Sequence, residues 1–273
     1  VLPWLDRPDA LERLGAEDRD DRALLEQWVR DGYVVVDGCV EAADIDAMIA
    51  TLDGLWEAER PIPDLELIGL REERGAVPRN LSHRDLVGLD RETRGRMRAN
   101  SDWRIHGFHY VNEPARRLFS GARLRALASR ILGRRARPIA AINFMVGSEQ
   151  ALHQDMAVFH VYPHNHLLGA WIACEDVDPG SGPLVLLPGS HRAPFFPGFT
   201  DYPQTNLRTA DEPTARAYQA WVDELAGRFP RREFHGRKGQ VLLWHGMLIH
   251  GGAPITRAGT SRKSMVIHYA VRG

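Results

Sequence analysis

The sequence predicts a mainly β fold with flanking helices, and three observations carry that prediction. After Arg137 short β-branched and apolar runs follow one another, separated by Gly/Pro turn signals such as Asp178-Pro179-Gly180-Ser181-Gly182 and Pro188-Gly189-Ser190. Before that point apolar residues recur mostly at helical spacing. No internal repeat or low-complexity segment divides the chain, and 273 residues is a length that all-β barrels reach as one unit. The expectation is a barrel or sandwich over about residues 136–273, with a helical cover over about 1–135, in a single domain spanning 1–273.

Taken in order, the first helix begins near Glu17-Asp18, carries Leu24, Leu25, Trp28 and Val29 on one face, and closes at Gly32. Tyr33-Val34-Val35-Val36 is a strand ended by Asp37-Gly38. A second helix is expected from Ala42 to Glu57, with Ile45, Met48, Ile49, Leu52 and Leu55 on one stripe. From Arg60 the pattern weakens, interrupted by Pro61, Pro63 and Pro78. Long irregular segments in compact domains are usually functional loops, so residues 60–112 are expected to form a lid. Helical period returns from Pro114 to Gly133. Strands follow at residues 138–146, 167–173, 183–188, 239–244 and 263–269, with a helix over 212–229.

Composition excludes several classes of function. The net charge is −1, with Arg and acidic residues interspersed, which argues against a nucleic-acid partner. The two cysteines, Cys39 and Cys174, are too far apart for a CxxC site and too few for a disulfide framework, so a reducing cytoplasm is expected. No apolar run reaches the length of a membrane helix. The start, Val1-Leu2-Pro3-Trp4, lacks both an initiator Met and the basic-then-apolar pattern of a signal peptide.

The chemistry centres on Leu152-His153-Gln154-Asp155-Met156. On an extended strand residues i and i+2 share a face, so His153 and Asp155 can converge on one point. An imidazole and a carboxylate suit a divalent transition metal. The best third ligand is His250, which ends an apolar run before Gly251-Gly252; His245 is its rival. Two His and one carboxylate leave three positions of an octahedral ion free, the arrangement of non-haem Fe(II) oxygenases. A bidentate cosubstrate would fill two of those positions and O2 the third. Arg262 opens the last strand, where its guanidinium can grip a distal carboxylate, and Trp171 can wall the pocket.

Read together, these segments resemble the phytanoyl-CoA dioxygenase family. The series is His153-Gln154-Asp155, Trp171 through Asp178, Gly182-Pro183-Leu184, Pro188-Gly189-Ser190-His191, Leu248-Ile249-His250-Gly251 and Arg262 through His268, with Asp31 through Gly38 ahead of it. The resemblance implies a double-stranded β-helix (jelly-roll, cupin-like) core that binds Fe(II) and 2-oxoglutarate, and hydroxylation of a small-molecule or acyl substrate with release of succinate and CO2. It places iron on His153, Asp155 and His250, and the 5-carboxylate of 2-oxoglutarate on Arg262. Gln154 and Trp171 match positions that touch the cosubstrate in some members, although alternation turns Gln154 away from the metal. His160 falls where some relatives keep a polar group near the cosubstrate, and Asn143 and His109 are further candidates for substrate contact. Halogenating relatives replace the carboxylate with a small residue, so Asp155 disfavours halogenation.

Competing readings remain. A zinc hydrolase or isomerase on the same fold explains the triad but gives Arg262 no role. A non-catalytic binding protein has no need of the whole set. Among other residues, His245 and His268 are expected in the core and His191 bracing a turn. His106 is expected in an aromatic cluster with His109, and His164 and His166 in a loop. Arg192 is expected in a surface salt bridge.

Overall fold

A strand that is apolar on both faces needs a layer on each side. β6 (Leu167–Ala173) and β11 (Ser264–Val271) are buried at every position, and the computed structural model supplies both layers. It describes residues 3–14 and 21–271. Glu17 and Asp18, expected at the front of the first helix, lie outside the described residues, as do Val1 and Leu2.

The large sheet has eight antiparallel strands. Their order is β1 (Tyr33–Val36), β9 (Val241–His245), β6, β11, β5 (Ala136–Phe144), β4 (Arg104–His106), β2 (Glu66–Leu70) and β3 (Arg79–Ser82). The small sheet runs β10 (His250–Gly252), β7 (Leu184–Leu186), β8 (Arg232–Phe234). The two face each other as a double-stranded β-helix, the jelly roll expected.

Register sorts the side chains. Residues directly opposite across a sheet share a face. One row runs Tyr33, Trp244, Gly169, His268, Ala140; the next runs Val35, Leu242, Trp171, Val266, Ile142, His106; a third runs Ala173, Ser264, Phe144, Arg104. This inner face packs with Leu184 and Leu186 of the small sheet. The alternate residues Ala170, Ile172, Leu243, Met265 and Ile267 pack outward with Trp28, Ile45, Met48 and Ile131 of the helical layer.

The helices are α1 (Arg22–Asp31), α2 (Ala42–Ile49), α3 (Gly54–Glu57), α4 (His83–Val87), α5 (Arg91–Asn100), α6 (Phe108–Val111), α7 (Glu113–Phe119), α8 (Ala122–Leu132) and α9 (Glu212–Ala226). Two expected helices are split. The stretch 42–57 breaks after α2, where the Thr51 hydroxyl donates to Met48 O at 2.7 Å. The stretch 114–133 breaks at Ser120-Gly121, where the Ser120 hydroxyl donates to Arg116 O at 2.8 Å. In both, a short polar side chain competes for the helix's own carbonyl. Residues 60–112 are not the long irregular segment expected. They hold β2, β3, β4, α4, α5 and α6, and the three strands extend the large sheet. Each strand is five residues or fewer, and β3 is mostly exposed, so none of the three is long enough to show a readable alternation.

No helix among the described residues is long and apolar enough to cross a membrane. Cys39 and Cys174 are free thiols.

Two expectations follow from this packing. Gly169 sits opposite Trp244, and a Cβ there would lie 2.3 Å from the indole. Gly169→Ala should lower stability by about 1–3 kcal/mol through overpacking, measurable by urea denaturation. His191 lies with its ring 5.5 Å from that of His245. Burial first, then the nearby charges of His245 and Arg192, push it down to about 3 from the ordinary 6.5. Its stabilising share is therefore complete above pH 6.5 and is lost as pH falls toward 3. In His191→Phe, unfolding midpoints across that window should fall less steeply than in the wild type.

Candidate metal centre and its cavity

His153 and His250 are brought side by side by their own backbones. His153 N donates to His250 O at 2.9 Å and His250 N to His153 O at 3.0 Å, a lone antiparallel bridge outside the named pairings. The approach is close because residue 251 is glycine: a Cβ there would lie 2.7 Å from Gln150 O. The chain after His153 is not the strand expected. Gln154 is extended, and a 3-10 turn over Asp155–Ala157 follows at once. One extended residue is enough to bring the Asp155 carboxylate back to the His153 face.

The ligand atoms converge. His153 Nε2 and His250 Nε2 each lie 3.7 Å from Asp155 Oδ1, and the three donor atoms fall within 4.8 Å of one another. Each imidazole is oriented through its other nitrogen. His153 Nδ1 meets Ala151 O at 2.9 Å, and His250 Nδ1 meets Leu248 O at 3.0 Å. With Nδ1 protonated and donating, Nε2 keeps its lone pair for a metal. Burial pulls His250 down to about 4, which keeps it in the neutral form that a metal needs.

Asp155 is held by residues that sequence reasoning did not assign to the site. Trp244 Nε1 donates to Asp155 Oδ2 at 2.8 Å, and His268 Nε2 meets the same oxygen at 3.1 Å. Both come from the first inner row, so the sheet fixes one carboxylate oxygen and leaves Oδ1 toward the imidazoles. Burial opposes ionisation of Asp155, yet His268, His250 and His153 around it hold its carboxyl well below the usual range.

A cavity of about 360 Å³ opens on these atoms, lined also by Arg104, Phe144, Phe159, Trp171, Arg208 and Arg262. Arg262 is 1% exposed. Its Nη1 donates to Gly182 O at 2.7 Å, its guanidinium lies 5.8 Å from the Trp171 ring, and its Nε has no partner among the described residues. Burial, then Arg104, pull it down to about 10, so it is still charged at neutral pH. No described acid pairs with it. Trp171 Nε1 and Ser264 Oγ, also buried, lack partners as well. A buried unpaired cation costs several kcal/mol, so this end of the cavity is built for an anion. The donor set at the other end suits a divalent metal.

The other candidates lie elsewhere. Gln154 is fully buried but turned from the cavity: its Nε2 donates to Met247 O at 2.9 Å, and its backbone N–H donates to the Tyr218 hydroxyl. The break in the strand does not redirect it. Asn143 is on the outer face, with Nδ2 3.3 Å from Met48 Sδ. His109 stacks on Phe119 at 4.0 Å in the helical layer. His160 is exposed and outside the lining. His245 is buried, its Nε2 3.1 Å from Asp6 Oδ2. His164 is exposed, with its ring 4.9 Å from that of Tyr202, and His166 is buried against the His164 carbonyl. Arg192 forms no salt bridge among the described residues; it donates to Val29 O and Arg30 O at the end of α1.

Trp244→Phe keeps the ring and deletes the indole N–H to Asp155. Loss of such an orienting partner should weaken divalent-metal affinity about 10–100-fold, measured by titration of the metal-free protein with Mn(II), with little change in secondary structure.

Comparison with known proteins agrees with the fold. The chain is 33% identical over 122 residues to peroxisomal phytanoyl-CoA dioxygenase of Rattus norvegicus, covering 45% of this chain and 33% of that one. The match spans about a third of that relative's length. It is 26% identical over 271 residues to ectoine dioxygenase of Halomonas elongata, covering 92% of this chain and 70% of that one. The crystal structure of EctD from S. alaskensis with 2-oxoglutarate and 5-hydroxyectoine superposes with a TM-score of 0.59 at 18% identity, over 97% of this chain and 78% of that one. The family profile described as phytanoyl-CoA dioxygenase (PhyH) matches residues 28–264, and the chain belongs to that family.

Proposed function

We propose that this protein is an Fe(II)- and 2-oxoglutarate-dependent oxygenase that hydroxylates an unactivated C–H bond of a small-molecule or acyl substrate. One observation carries the reading: His153, Asp155 and His250 converge in the same cavity as a buried Arg262 with no described acid partner. The zinc reading accounts for the first half of that observation and leaves the second unexplained. When bound, iron with 2-oxoglutarate and O2 supplies the oxidant that takes hydrogen from carbon and returns a hydroxyl, with succinate and CO2 leaving.

The residues do the rest. His153 Nε2, Asp155 Oδ1 and His250 Nε2 would hold the metal from one side and leave the cavity side open. The Arg262 guanidinium would pair with the far carboxylate of the cosubstrate, with Trp171 alongside and the Ser264 hydroxyl in the next row of the inner face. Trp244 and His268 keep the carboxylate from rotating. Leu184, Val266, Phe144 and Trp171 make the walls apolar and exclude water from the reacting carbon. The carboxylate of Asp155 stands where a halide would have to bind, which favours oxygen transfer over halogenation. A cytoplasmic location belongs to this reading and is supported by the two free thiols.

The test is anaerobic loading of the protein with Fe(II) and 2-oxoglutarate, followed by admission of O2. The iron–2-oxoglutarate absorption band should form in the wild type and be absent in His153→Ala, and succinate should be released with O2 uptake. Arg262→Lys should raise the 2-oxoglutarate half-saturation about 10–150-fold, the loss of one charged hydrogen-bonded pair of about 1.5–3 kcal/mol. Failure of the band to form in the wild type would refute the proposal.

A further inference from the structure

Arg262 accounts for the cosubstrate end of the cavity, but two more guanidinium groups line the same space. Arg104, on β4, lies 5.2 Å from the Phe144 ring, and its Nε is buried without a partner among the described residues. Asp102, the acid whose charge reaches it, is paired to Arg71 at 3.5 Å. Arg208, in the loop before α9, lies 5.7 Å from the Phe159 ring and has no ion pair among those described. The two are close enough that both disfavour protonation of His106, after burial does so first. Glu66 stands near this group, 3.8 Å from His106 Nδ1, but does not line the cavity.

The cavity carries an excess of positive charge along its lining. Its described lining holds Arg104, Arg208 and Arg262 against one acid, Asp155. A divalent ion and a dianionic cosubstrate cancel each other, and Asp155 offsets one guanidinium. Two positive charges are left over at Arg104 and Arg208. A guanidinium held over an aromatic face still has N–H donors for bidentate pairing with a carboxylate. The position is also suitable: Phe159, under Arg208, packs 4.3 Å from His268, which holds the metal-binding carboxylate. A cavity of about 360 Å³ is near the lower end of ligand sites, about 300–1,000 Å³. Shared with 2-oxoglutarate, it leaves no room for a nucleotide-sized group.

Building on the proposed oxygenase reading, we infer that the substrate is a small organic acid whose carboxylate is gripped between Arg104 and Arg208, and that these two residues determine specificity. The grip fixes one end of the substrate and presents a carbon further along it to the metal.

The experiment uses the full chain loaded anaerobically with Fe(II) and 2-oxoglutarate. Calorimetric titration with benzoate, hexanoate and L-pipecolate is set beside their primary amides and inorganic phosphate. At least one acid should bind, and its amide should bind at least tenfold more weakly. Arg104→Gln and Arg208→Gln should each weaken acid binding tenfold or more, while Arg192→Gln, away from the cavity, should bind as the wild type. Arg208→Lys, which keeps charge but not the planar fork, should recover part of the loss; Arg208 is exposed, so both of its variants keep the fold even if Arg104→Gln, at a half-buried position, does not. Equal binding of acids and amides, binding of none of the acids, phosphate binding in their place, or acid binding undiminished in both Gln variants would overturn the inference. The absorption band of the loaded wild type reports separately on the oxygenase reading, so the two can fail independently.

Discussion

The site depends on two backbone hydrogen bonds, those that His153 and His250 exchange at 2.9 and 3.0 Å. Ninety-seven residues apart in the chain, the two imidazoles become neighbours because their main chains form one antiparallel bridge. This bridge also joins the segment after β5 to β10 of the small sheet. The contact is therefore structural and chemical at once. Anything that separates the strands here separates the ligands, and the absence of a side chain at Gly251 is what allows the approach. The spacing of the two imidazoles is thus set by main-chain pairing, which is stiffer than side-chain packing, and the side chains need only choose a rotamer. Each does so through a carbonyl two residues back.

Around this clasp the protein buries charges that folding alone does not reward. Asp155 is ionised in an apolar interior because an indole N–H and an imidazole satisfy one oxygen and two more imidazoles face the other. Arg262 has one carbonyl and an aromatic face, which leaves its charge uncompensated. The two are unlike in a way that separates their roles. Asp155 is already satisfied on its far side and needs only a cation in front. Arg262 is unsatisfied and awaits a ligand. Such an arrangement costs stability in the free protein and returns it on binding.

Much of this was legible in the sequence, for a physical reason. The central strands, buried on both faces, read as apolar runs, and β5, β6, β9 and β11 fall within a few residues of their expected bounds. The three residues proposed to hold the metal stood out because His-x-Asp and a His before Gly-Gly are local patterns. What the sequence hid is set by register across the sheet. Trp244 and His268 meet at Asp155 because Gly169 lies between them in the row, a relation with no local signature. Asn143 looked as eligible as its neighbours, yet one position of the two-residue alternation puts it on the outer face. Gln154 obeyed alternation, and the motif match that drew it toward the cosubstrate carried no geometric support. The strands of residues 60–112 were too short to announce themselves, so Arg104 was passed over as one of many arginines.

The cavity divides its work between strands of unequal length. Its Arg262 end is built against β5, β6 and β11, strands paired along most of their length at the centre of the large sheet. Its outer end is closed by β4, three residues long, and by the loop that carries Arg208. The first group cannot change without disturbing the core and the convergence of His153, Asp155 and His250. The second can: a substitution at Arg104 or in the Arg208 loop alters charge and shape at the mouth while the inner rows keep their register. Under the proposed function, a scaffold arranged this way would hold the oxidising chemistry constant and leave the choice of substrate to the residues that contribute least to the fold.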